Sequence, residues 1–396
     1  MADQRESPLG VTFKVQTNMR ILFWSYVFWP KIGGVEVHAA KLLPSLALRG
    51  YEFLVITTKS HPDEPDMHFY QGIPIHRFPF WEFTNYTNIN ALAAIRQKII
   101  ALKRAFAPEL VHINAVDIGN WFHTLTANAS RAPLLVTLHG EWIPRHDGVV
   151  ERTLRDAEWV TACSQAILDK GRQLVPEIVL RSSVIHNGLD SPMLTPELPR
   201  FDEPRLLCLG RLSPEKGFDV AIEAFAAVLE RFPKTRLVIC GDGSSRCELE
   251  GMVAEKKLNH CVDFLGWVKP ENVPALINGS TLVLMPSRQE SLPLVALEAA
   301  LMERPVLATC VGGIPEVVIH EHTGLHVRPE DSQALAEAVA YLLQRPELAI
   351  KIGQNAKRWV EQKFSWQAHV DGYDALYREL IVNSPSRNGD NRPVVL

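Results

Sequence analysis

The sequence predicts an α/β protein built from two doubly wound, Rossmann-like domains. Its 396 residues exceed the length at which a single hydrophobic core stops growing, so two domains are expected. In both halves short apolar runs alternate with helical patterns, which indicates parallel sheets covered on both faces by helices. Two domains of this kind leave a cleft between the carboxyl ends of their strands, where the ligands of such sheets bind.

The apolar runs predict where the individual elements lie. In the first half we expect buried strands at residues 21–28, 53–57, 110–113, 134–138, 159–162 and 183–185, and helices at 35–49, 90–106 and 150–157. In the second half we expect strands at 205–209, 236–240, 262–265, 282–285 and 306–308, and helices at 217–231, 244–257, 271–278, 293–302 and 331–344. Residues 189–204 carry four prolines and no apolar period, which predicts a linker between the domains.

The composition excludes several classes of protein. Apolar residues make up 46% and charged residues 22% of the chain, enough for two ordinary cores. The formal net charge of -4 argues against nucleic acid as a partner. The six cysteines include no CxxC pair and most lie in apolar runs, so buried free thiols in a reducing compartment are expected.

The two ends of the chain carry no targeting signal that we can identify. Residues 1–18 and 384–396 are polar and mixed, and we expect them to be disordered tails. No signal-peptide pattern is present, and the apolar run at 21–30 is too short to span a bilayer. We therefore expect a cytoplasmic protein.

A glycine turn with two cations follows one predicted strand of the second half. Gly210 ends the strand at 205–209, and Arg211 and Lys216 come next, before the helix at 217–231. This order places both cationic side chains at the carboxyl edge of the sheet. A planar guanidinium and a compact ammonium are together well suited to a diphosphate, although two solvated charges beside a turn are an equally common meaning of such a pair.

A second turn, after the strand at 282–285, carries two glutamates. Pro293 suits the first turn of a helix, so the free amides of Leu294 and Val295 can form an anion site strengthened by the helix dipole. Glu290 lies in the loop and Glu298 in the helix, with carboxylates on the order of 10 Å apart at about 1.5 Å of rise per residue. A retaining glycosidase pair is closer, at roughly 5–5.5 Å. The spacing favours one glutamate touching a sugar and the other a diol, with phosphates between them.

Motifs along nearly the whole chain carry a family resemblance. The run G-R-L-x-x-E-K-G at 210–217, followed by E-S-L-P-L-V-A-L-E-A at 290–299, resembles the donor-site signature of glycosyltransferase family 4, with its two-domain GT-B fold. Further matches are P-K-I-G-G-V-E at 30–36, T-L-H-G at 137–140, I-H-N-G-L-D at 185–190, C-G-D-G at 240–243, F-L-G-W-V at 264–268, G-G-I-P-E at 312–316 and F-S-W at 364–366. Each motif alone is weak, but the set is specific.

The resemblance implies how the chain is divided. It implies an N-terminal acceptor-binding domain at residues 19–195 and a C-terminal domain at 196–365 that binds a nucleotide-sugar donor. The helix at 366–383 would cross back to the first domain. Transfer would proceed with retention of anomeric configuration.

The resemblance also implies roles for the matched residues. Arg211 and Lys216 would neutralise the donor diphosphate, and Glu298 would accept hydrogen bonds from the ribose hydroxyls. Glu290 would contact the transferred sugar, which His139 would face from the first domain. The expected catalytic residues are thus His139, Arg211, Lys216 and Glu290, and the expected donor-binding residues are Gly33, Gly34, Gly210, Arg211, Lys216, Val268, Glu290, Leu294, Val295 and Glu298.

Glycines at 33 and 34 would let the backbone approach the phosphates, and the backbone near Val268 would read the base. One departure from the family pattern concerns the loop, where Ser291 and Pro293 stand in place of glycines found in many relatives. The identity of the donor sugar therefore does not follow. No D-x-D motif is present, so we expect no metal and no other cofactor, with fixed cations and the helix at Leu294 stabilising the leaving diphosphate.

Two weaker signals remain. The helix at 90–106 carries Arg96, Lys98, Lys103 and Arg104 beside an apolar stripe, and we expect a surface helix with its cations in water. The sharper alternative is peripheral contact with the inner face of an anionic membrane, or with a lipid-linked acceptor. The three histidines at 320, 322 and 326 fit no structural zinc spacing.

We therefore expect a hexosyltransferase that moves a sugar from a UDP- or GDP-sugar to a saccharide or lipid-linked acceptor, in polysaccharide, lipopolysaccharide or glycolipid synthesis. Alternatives are a nucleotide-sugar epimerase of the same architecture, a nicotinamide-dependent dehydrogenase and a non-catalytic nucleotide-sugar sensor. Against the dehydrogenase, no G-x-G-x-x-G follows the first predicted strand. Against the sensor stands the full set of donor residues.

Overall fold

The computed structural model describes residues 18–30, 34–80, 89–116, 119–140 and 148–384. The predicted tails lie outside these ranges except for Asn18 and Ser384. The described chain divides into two compact units. Described residues within Met1–Thr137, Pro144–Trp159 and Asp374–Leu396 form the first unit, and those within Leu138–Ile143 and Val160–Tyr373 form the second.

The first sheet has eight strands in the order β3-β4-β2-β1-β5-β6-β7-β8. The strands are β1 (Met19–Trp24), β2 (Tyr51–Thr58), β3 (Met67–Tyr70), β4 (Ile73–Phe78), β5 (Leu110–Ile113), β6 (Leu134–Leu138), β7 (Trp159–Ala162) and β8 (Ser182–Val184). The helices between them are α1 (Gly34–Ala47), α2 (Ile89–Phe106), α3 (Gly119–Leu125), α4 (Val149–Asp156) and α5 (Gln165–Leu174). Strand β1 pairs in parallel with β2 and β5, and Ile21 to Trp24 are completely buried, as expected of a strand covered on both faces.

A hairpin in the first sheet was not predicted. Strands β3 and β4 pair antiparallel in the stretch between the predicted strand at 53–57 and the predicted helix at 90–106. Gln71 and Gly72 form the turn with φ of 48° and 82°, and two positive φ values are typical of a tight hairpin turn. Glutamine is an unusual residue there, and Pro74 lies inside β4, so neither residue signalled a strand.

The second sheet has six strands, all paired in parallel, in the order β11-β10-β9-β12-β13-β14. The strands are β9 (Arg205–Leu209), β10 (Arg236–Cys240), β11 (Val262–Gly266), β12 (Leu282–Met285), β13 (Val306–Thr309) and β14 (Gly324–Val327). The helices are α6 (Phe218–Arg231), α7 (Arg246–Glu255), α8 (Val273–Asn278), α9 (Leu294–Leu301), α10 (Ile314–Val317), α11 (Ser332–Leu343), α12 (Pro346–Lys363) and α13 (Trp366–Val382). The core of this unit joins the strands to α6 and α11 through residues such as Leu206, Phe225 and Leu335.

The segment after β6 pairs with the first sheet, but most of it belongs to the second compact unit. Strands β7 and β8 belong to the first sheet, yet β8 and the residues of β7 from Val160 onward group with the second unit. The chain that follows β8 is tied to the second unit, since Leu189 and Ser365 form a parallel bridge. Residues 190–204 contain no helix or strand. The predicted boundary at 195/196 stays a prediction.

Helix α13 is divided between the two units. Its residues up to Tyr373 belong to the second unit, and those from Asp374 onward belong to the first. There the Tyr51 hydroxyl donates to Asp374 Oδ1 at 2.7 Å, and the Tyr377 hydroxyl lies 2.5 Å from His112 Nδ1. These buried polar contacts fix the end of the helix on strands β2 and β5.

One prediction for α2 is wrong. Lys103 was expected among the solvated cations, but it is only 1% exposed. Its ammonium points to the carbonyl oxygen of Thr126 at 3.2 Å and to His123 Nδ1 at 3.3 Å. Burial lowers the pKa of Lys103 to about 7. Lys103 lies on the inward stripe with Ile95 and Ile99, whereas Arg96, Lys98 and Arg104 are exposed.

The cysteines are free thiols, four of them buried, while Cys247 and Cys310 are exposed. Within the described chain, no helix combines the length and the apolar character needed to cross a bilayer.

Candidate active site

The carboxyl edge of the second sheet contains a natural ligand position. Strand β9 lies between β10 and β12, so the order of the strands reverses between β9 and β12. Doubly wound sheets bind ligands outside the strand ends at such a point. A cavity of about 190 Å³ opens there, lined by Leu209, Lys216, Phe218, Met285, Ser287, Glu290, Leu292, Pro293, Leu294 and Val295. Four of the predicted donor-site residues therefore share one cavity.

Lys216 and Glu290 form an ion pair at this cavity. Lys216 Nζ lies 2.5 Å from Glu290 Oε1, and the same oxygen accepts a hydrogen bond from the Ser287 hydroxyl at 3.0 Å. The Glu290 side chain is 8% exposed and that of Lys216 is 26% exposed. In this structure the ammonium therefore already neutralises a nearly buried carboxylate.

Arg211 differs from Lys216 in its surroundings. It follows Gly210 at the end of β9, is exposed to solvent, and makes no hydrogen bond or salt bridge through its guanidinium to any described residue. Its five donors remain available to an anion.

Helix α9 begins beside these cations. Its first residue is Leu294, one position later than predicted, because Pro293 occupies the position before the helix with an extended backbone. Leu294 and Val295 both line the cavity, so the first-turn amides lie next to it. Burial raises the pKa of Glu298, in the second turn of α9, to about 7.

Glycines let the turns of the site pack against one another. A Cβ atom at Gly217 would lie 2.0 Å from the carbonyl oxygen of Pro286, and one at Gly312 would lie 1.7 Å from that of Glu290. Both residues also have positive φ, of 65° and 51°. The turn after β9 and the diglycine turn at 312–313 are thus closed onto the loop that carries Glu290.

His139 lies next to the same loop. A Cβ atom at the following residue, Gly140, would lie 3.3 Å from the Ser291 hydroxyl. Burial, followed by the proximity of His369, lowers the pKa of His139 to about 3, so its imidazole is neutral at physiological pH. The backbone that follows His139 therefore lies close to Ser291, and both residues belong to the second unit instead of to two different domains. That His139 faces the sugar stays a prediction.

The remaining predicted residues lie elsewhere. Gly34 is exposed at the start of α1 in the first unit, and Gly33 lies outside the described residues. Val268 is half-buried just after β11, whose last residue, Gly266, accepts a hydrogen bond from Gly241 N at 2.8 Å. The predicted contact between the backbone near Val268 and the base stays a prediction.

Two residues with roles in the site were missed. Arg288 pairs with Asp219 at 2.6 Å and 2.9 Å, donates to the Pro214 carbonyl at 2.6 Å and pairs with Glu330. Glu316 accepts hydrogen bonds from two backbone amides and lies 2.8 Å from His186 Nε2. Glu316 ends the G-G-I-P-E motif and Arg288 lies two residues before the motif at 290–299, but their partners are distant in sequence, so no local pattern could assign them.

His326 in β14 contacts His320, which lies just before the strand. His320 Nδ1 accepts from the His326 amide at 2.9 Å. In the part of the chain that the structure describes, no three His, Cys, Asp or Glu side chains converge as metal ligands.

Comparison with known proteins identifies the family. The model for "Glycosyl transferases group 1" matches residues 196–359, and that for "Glycosyltransferase Family 4" matches residues 32–191. Glycogen synthase from Mycobacterium tuberculosis is 28% identical over 91% of this chain and 94% of its own length. N-acetyl-alpha-D-glucosaminyl L-malate synthase from Bacillus anthracis is 25% identical over 89% of this chain and 96% of its own length. The chain belongs to the family 4 (group 1) glycosyltransferases.

Solved structures agree on the fold. Sucrose-phosphate synthase from Thermosynechococcus elongatus superposes with a TM-score of 0.79 at 25% identity, covering 93% of this chain and 100% of that one. Anabaena HepE, solved in complex with UDP and glucose, gives a TM-score of 0.73 at 22% identity, with 91% and 100% covered. The predicted fold class, two Rossmann-like parallel-sheet domains of the GT-B type, is confirmed.

Proposed function

We propose that this glycosyltransferase moves a hexosyl group from a UDP- or GDP-sugar to a saccharide or lipid-linked acceptor, with retention of anomeric configuration. The observation that carries the proposal is that the Lys216–Glu290 pair and the start of α9 line one cavity at the switch point of the second sheet. The exposed Arg211 follows β9 at the same edge of that sheet. The cations and helix amides suit the diphosphate of a nucleotide sugar, and the carboxylates suit the hydroxyl groups of its sugar and ribose.

The charges of the site suit the departure of a diphosphate. As the bond between sugar and phosphate breaks, negative charge develops on the leaving group and positive charge on the sugar ring. Lys216 is held by Glu290 and the amides of Leu294 and Val295 by helix α9 before the reaction, so they stabilise the leaving group without reorganisation, and the exposed Arg211 adds a further cation. We infer that they take the place of a divalent metal and that no cofactor is needed.

The sugar side of the site would be formed by Glu290 and His139. A carboxylate beside the reacting sugar holds its hydroxyl groups and stabilises developing positive charge. The neutral imidazole of His139 can donate or accept one hydrogen bond without adding a repelling charge. The departing phosphate then serves as the base for front-face attack. Glu298, in the second turn of α9, is assigned to the ribose hydroxyls.

The acceptor is proposed from the relatives and from chemistry. The curated relatives include proteins named glycogen synthase, N-acetyl-alpha-D-glucosaminyl L-malate synthase and D-inositol 3-phosphate glycosyltransferase, so acceptors in this family carry hydroxyl groups on diverse scaffolds. We propose a role in polysaccharide, lipopolysaccharide or glycolipid synthesis, in the cytoplasm.

Helix α2 supports peripheral attachment to the inner face of a membrane. Its eighteen residues include no acid, and Arg96, Lys98 and Arg104 are exposed beside the exposed Ile89. Such a face binds anionic headgroups and inserts apolar side chains. Flotation with phosphatidylglycerol vesicles tests this, with neutral phosphatidylcholine vesicles as the control. Equal recovery of the wild type and an Arg96→Glu/Lys98→Glu/Arg104→Glu variant on the anionic vesicles would show that these cations of α2 do not attach the protein to a membrane.

The central experiment screens donors and then reads the product. UDP- and GDP-sugars are ranked by thermal shift, and the tightest is incubated with acceptors in the presence and absence of EDTA. Proton NMR of the product gives its anomeric configuration, and a reaction without acceptor detects epimerisation. We expect transfer with retention, unaffected by EDTA.

The assigned residues are tested in the same assay. Arg211→Ala, Lys216→Ala and Glu290→Ala should each lose most transfer, at least 10²-fold in kcat/KM, while the fold survives. Lys234→Ala, at an exposed lysine of the same unit, serves as the control. Wild-type turnover in all three site variants would show that the reaction takes place elsewhere.

A further inference from the structure

Glu316 in α10 is the focus of an unusually complete set of hydrogen bonds. Its Oε2 accepts from Gln165 N at 2.9 Å, its Oε1 accepts from Ala166 N at 3.2 Å, and His186 Nε2 lies 2.8 Å from Oε2. The two amides belong to the first turn of α5, where the helix dipole favours an anion. Burial alone would raise the pKa of Glu316, but these hydrogen bonds hold it below its usual value, so the side chain is a carboxylate at neutral pH.

On one side, this carboxylate fixes the chain that leads to His139. Gln165 and Ala166 follow directly after Cys163 and Ser164. The Cys163 amide donates to the Leu138 carbonyl at 3.0 Å, and the Cys163 thiol donates to the His139 carbonyl at 3.5 Å. The first turn of α5 and the end of β6 are thus held together, and a shift of α5 would move the backbone of His139.

On the other side, the carboxylate is attached to the turn that supports Glu290. Helix α10 begins immediately after the diglycine turn, and Gly313 N donates to the Glu290 carbonyl at 3.3 Å. A Cβ atom at Gly313 would lie 2.2 Å from the Ser291 carbonyl oxygen and 3.0 Å from Ser164 Cβ. The diglycine turn therefore packs against the sugar loop and against the start of α5 at the same time.

We propose that Glu316 is a positioning residue for glycosyl transfer, which sets the separation between the backbone of His139 and the loop of Glu290. It acts through the first turn of α5 on one side and the diglycine turn on the other. This inference rests on the proposed function, because it assumes that His139 and Glu290 face the same sugar. Donor affinity should stay nearly unchanged, since the diphosphate and ribose contacts proposed for Arg211, Lys216 and Glu298 lie outside this set and only the sugar contact of Glu290 depends on it.

Kinetics provide the first test. A displacement of about 1 Å between reacting groups can cost about 10²-fold in rate, so Glu316→Ala should lower kcat by about that factor while the Kd of the donor stays unchanged. Glu316→Gln should fall in between, because its amide nitrogen cannot accept from a backbone N–H. Glu361→Ala, at an exposed carboxylate of α12, should retain wild-type kcat. Wild-type kcat in Glu316→Ala, or an equal loss in Glu361→Ala, would overturn the proposal.

Amide hydrogen exchange provides a second test that needs no activity. In Glu316→Ala and Glu316→Gln, peptides that cover residues 163–168 should exchange faster, whereas peptides of β9 and β12 should not change. Unchanged exchange at 163–168 would disprove the positioning role even in an active enzyme. Conversely, if the wild-type protein transfers no sugar, the proposed function is wrong. The exchange data then still show whether Glu316 holds the first turn of α5 in place.

Discussion

Lys216 and Arg211 reach the same sheet edge in different electrostatic states. The Lys216 ammonium is held 2.5 Å from Glu290 Oε1, whereas Arg211 is exposed and its guanidinium forms no salt bridge with a described residue. A compact ammonium suits a fixed position between a carboxylate and a phosphate, and a planar guanidinium suits first contact with a flexible diphosphate. We infer that the donor adds to the Lys216–Glu290 pair instead of replacing it, because Glu290 is nearly buried and needs a counterion.

The pair can be separated into its structural and catalytic parts. Lys216→Met leaves the Glu290 carboxylate without its cation and should lower the free energy of unfolding by about 1–3 kcal/mol. In the double variant Lys216→Met/Glu290→Gln the uncompensated charge is gone, so most of that loss should be recovered. Transfer should stay abolished in both. Chemical denaturation and the transfer assay are the measurements, and a double variant with the same stability as Lys216→Met would contradict the role of charge.

Glu298 predicts a pH dependence of donor binding. Burial raises the pKa of this carboxyl to about 7, so the free protein holds it mainly protonated at pH 6. Ribose hydroxyls donate to the ionised form, and the diphosphate of a nucleotide sugar has no proton to lose in this range. The Kd of the donor should therefore fall roughly three- to tenfold from pH 6 to pH 8. Calorimetry with wild type and Glu298→Gln checks this, and an equal pH slope in the variant would exclude Glu298 as the cause.

At the scale of elements, the site is a set of turns held by long-range contacts. Arg288 connects the loop of Glu290 to the Pro214 carbonyl in the turn after β9 and to Asp219 in α6. These bonds hold the pKa of Arg288 above its usual range and that of Asp219 below it. The two turns that carry Lys216 and Glu290 therefore have a common support.

A graded series of variants tests this support. Arg288→Ala should lower the free energy of unfolding by about 1–3 kcal/mol and weaken donor binding, because both turns lose their connection. Asp219→Asn should have a smaller effect of the same kind. Glu330→Gln should have the smallest, since the Glu330 side chain is 57% exposed and its ion pair is screened. Denaturation and donor titration are the measurements, and a larger effect at Glu330 than at Asp219 would reverse the assignment.

The sequence predicted best those elements that are buried apolar runs. Strands β5, β6, β7, β9, β10 and β12 have their predicted bounds because each is a buried apolar run between polar turns. Strand β14 and helix α12 were missed. Strand β14 has only Gly324–Val327 at the edge of its sheet, and α12 carries enough charge to conceal its narrow apolar stripe. A short edge strand and a mostly polar helix have little apolar pattern to detect.

Some residues of the candidate site could be proposed from the sequence, and others could not. Arg211, Lys216, Glu290 and Glu298 could be found because glycine turns and a helix start place them at one sheet edge. The support by Arg288 and Glu316 depends on contacts 69 and 150 positions apart in sequence, such as Arg288–Asp219 and Ala166–Glu316. A single sequence contains no sign of such pairs. Lys103 was misplaced for a related reason, since its acceptors are carbonyl oxygens that no side-chain pattern reveals.

At the scale of the whole molecule, the proposed donor contacts are concentrated in one unit. Gly210, Arg211, Lys216, Glu290 and Glu298 all lie within Val160–Tyr373. Because this unit has a core of its own, built on β9, β12, α6 and α11, a ligand bound there stabilises it directly. The first unit is stabilised by the ligand only to the extent that its unfolding is coupled to the unfolding of the second unit.

Thermal unfolding should therefore respond to the donor. At 100 times its Kd, a ligand that binds only the folded state adds about 2.7 kcal/mol, which corresponds to a rise of roughly 5–10 °C for a unit of this size. Where calorimetry resolves two transitions, only the one assigned to the second unit should move. An Arg211→Ala/Glu298→Gln variant should show no shift under the same conditions, while Lys234→Ala should match wild type. An equal shift in the Arg211→Ala/Glu298→Gln variant would place the nucleotide sugar outside the second sheet's switch point, and a shift of both transitions by the same amount would mean that the donor stabilises the first unit as much as the second.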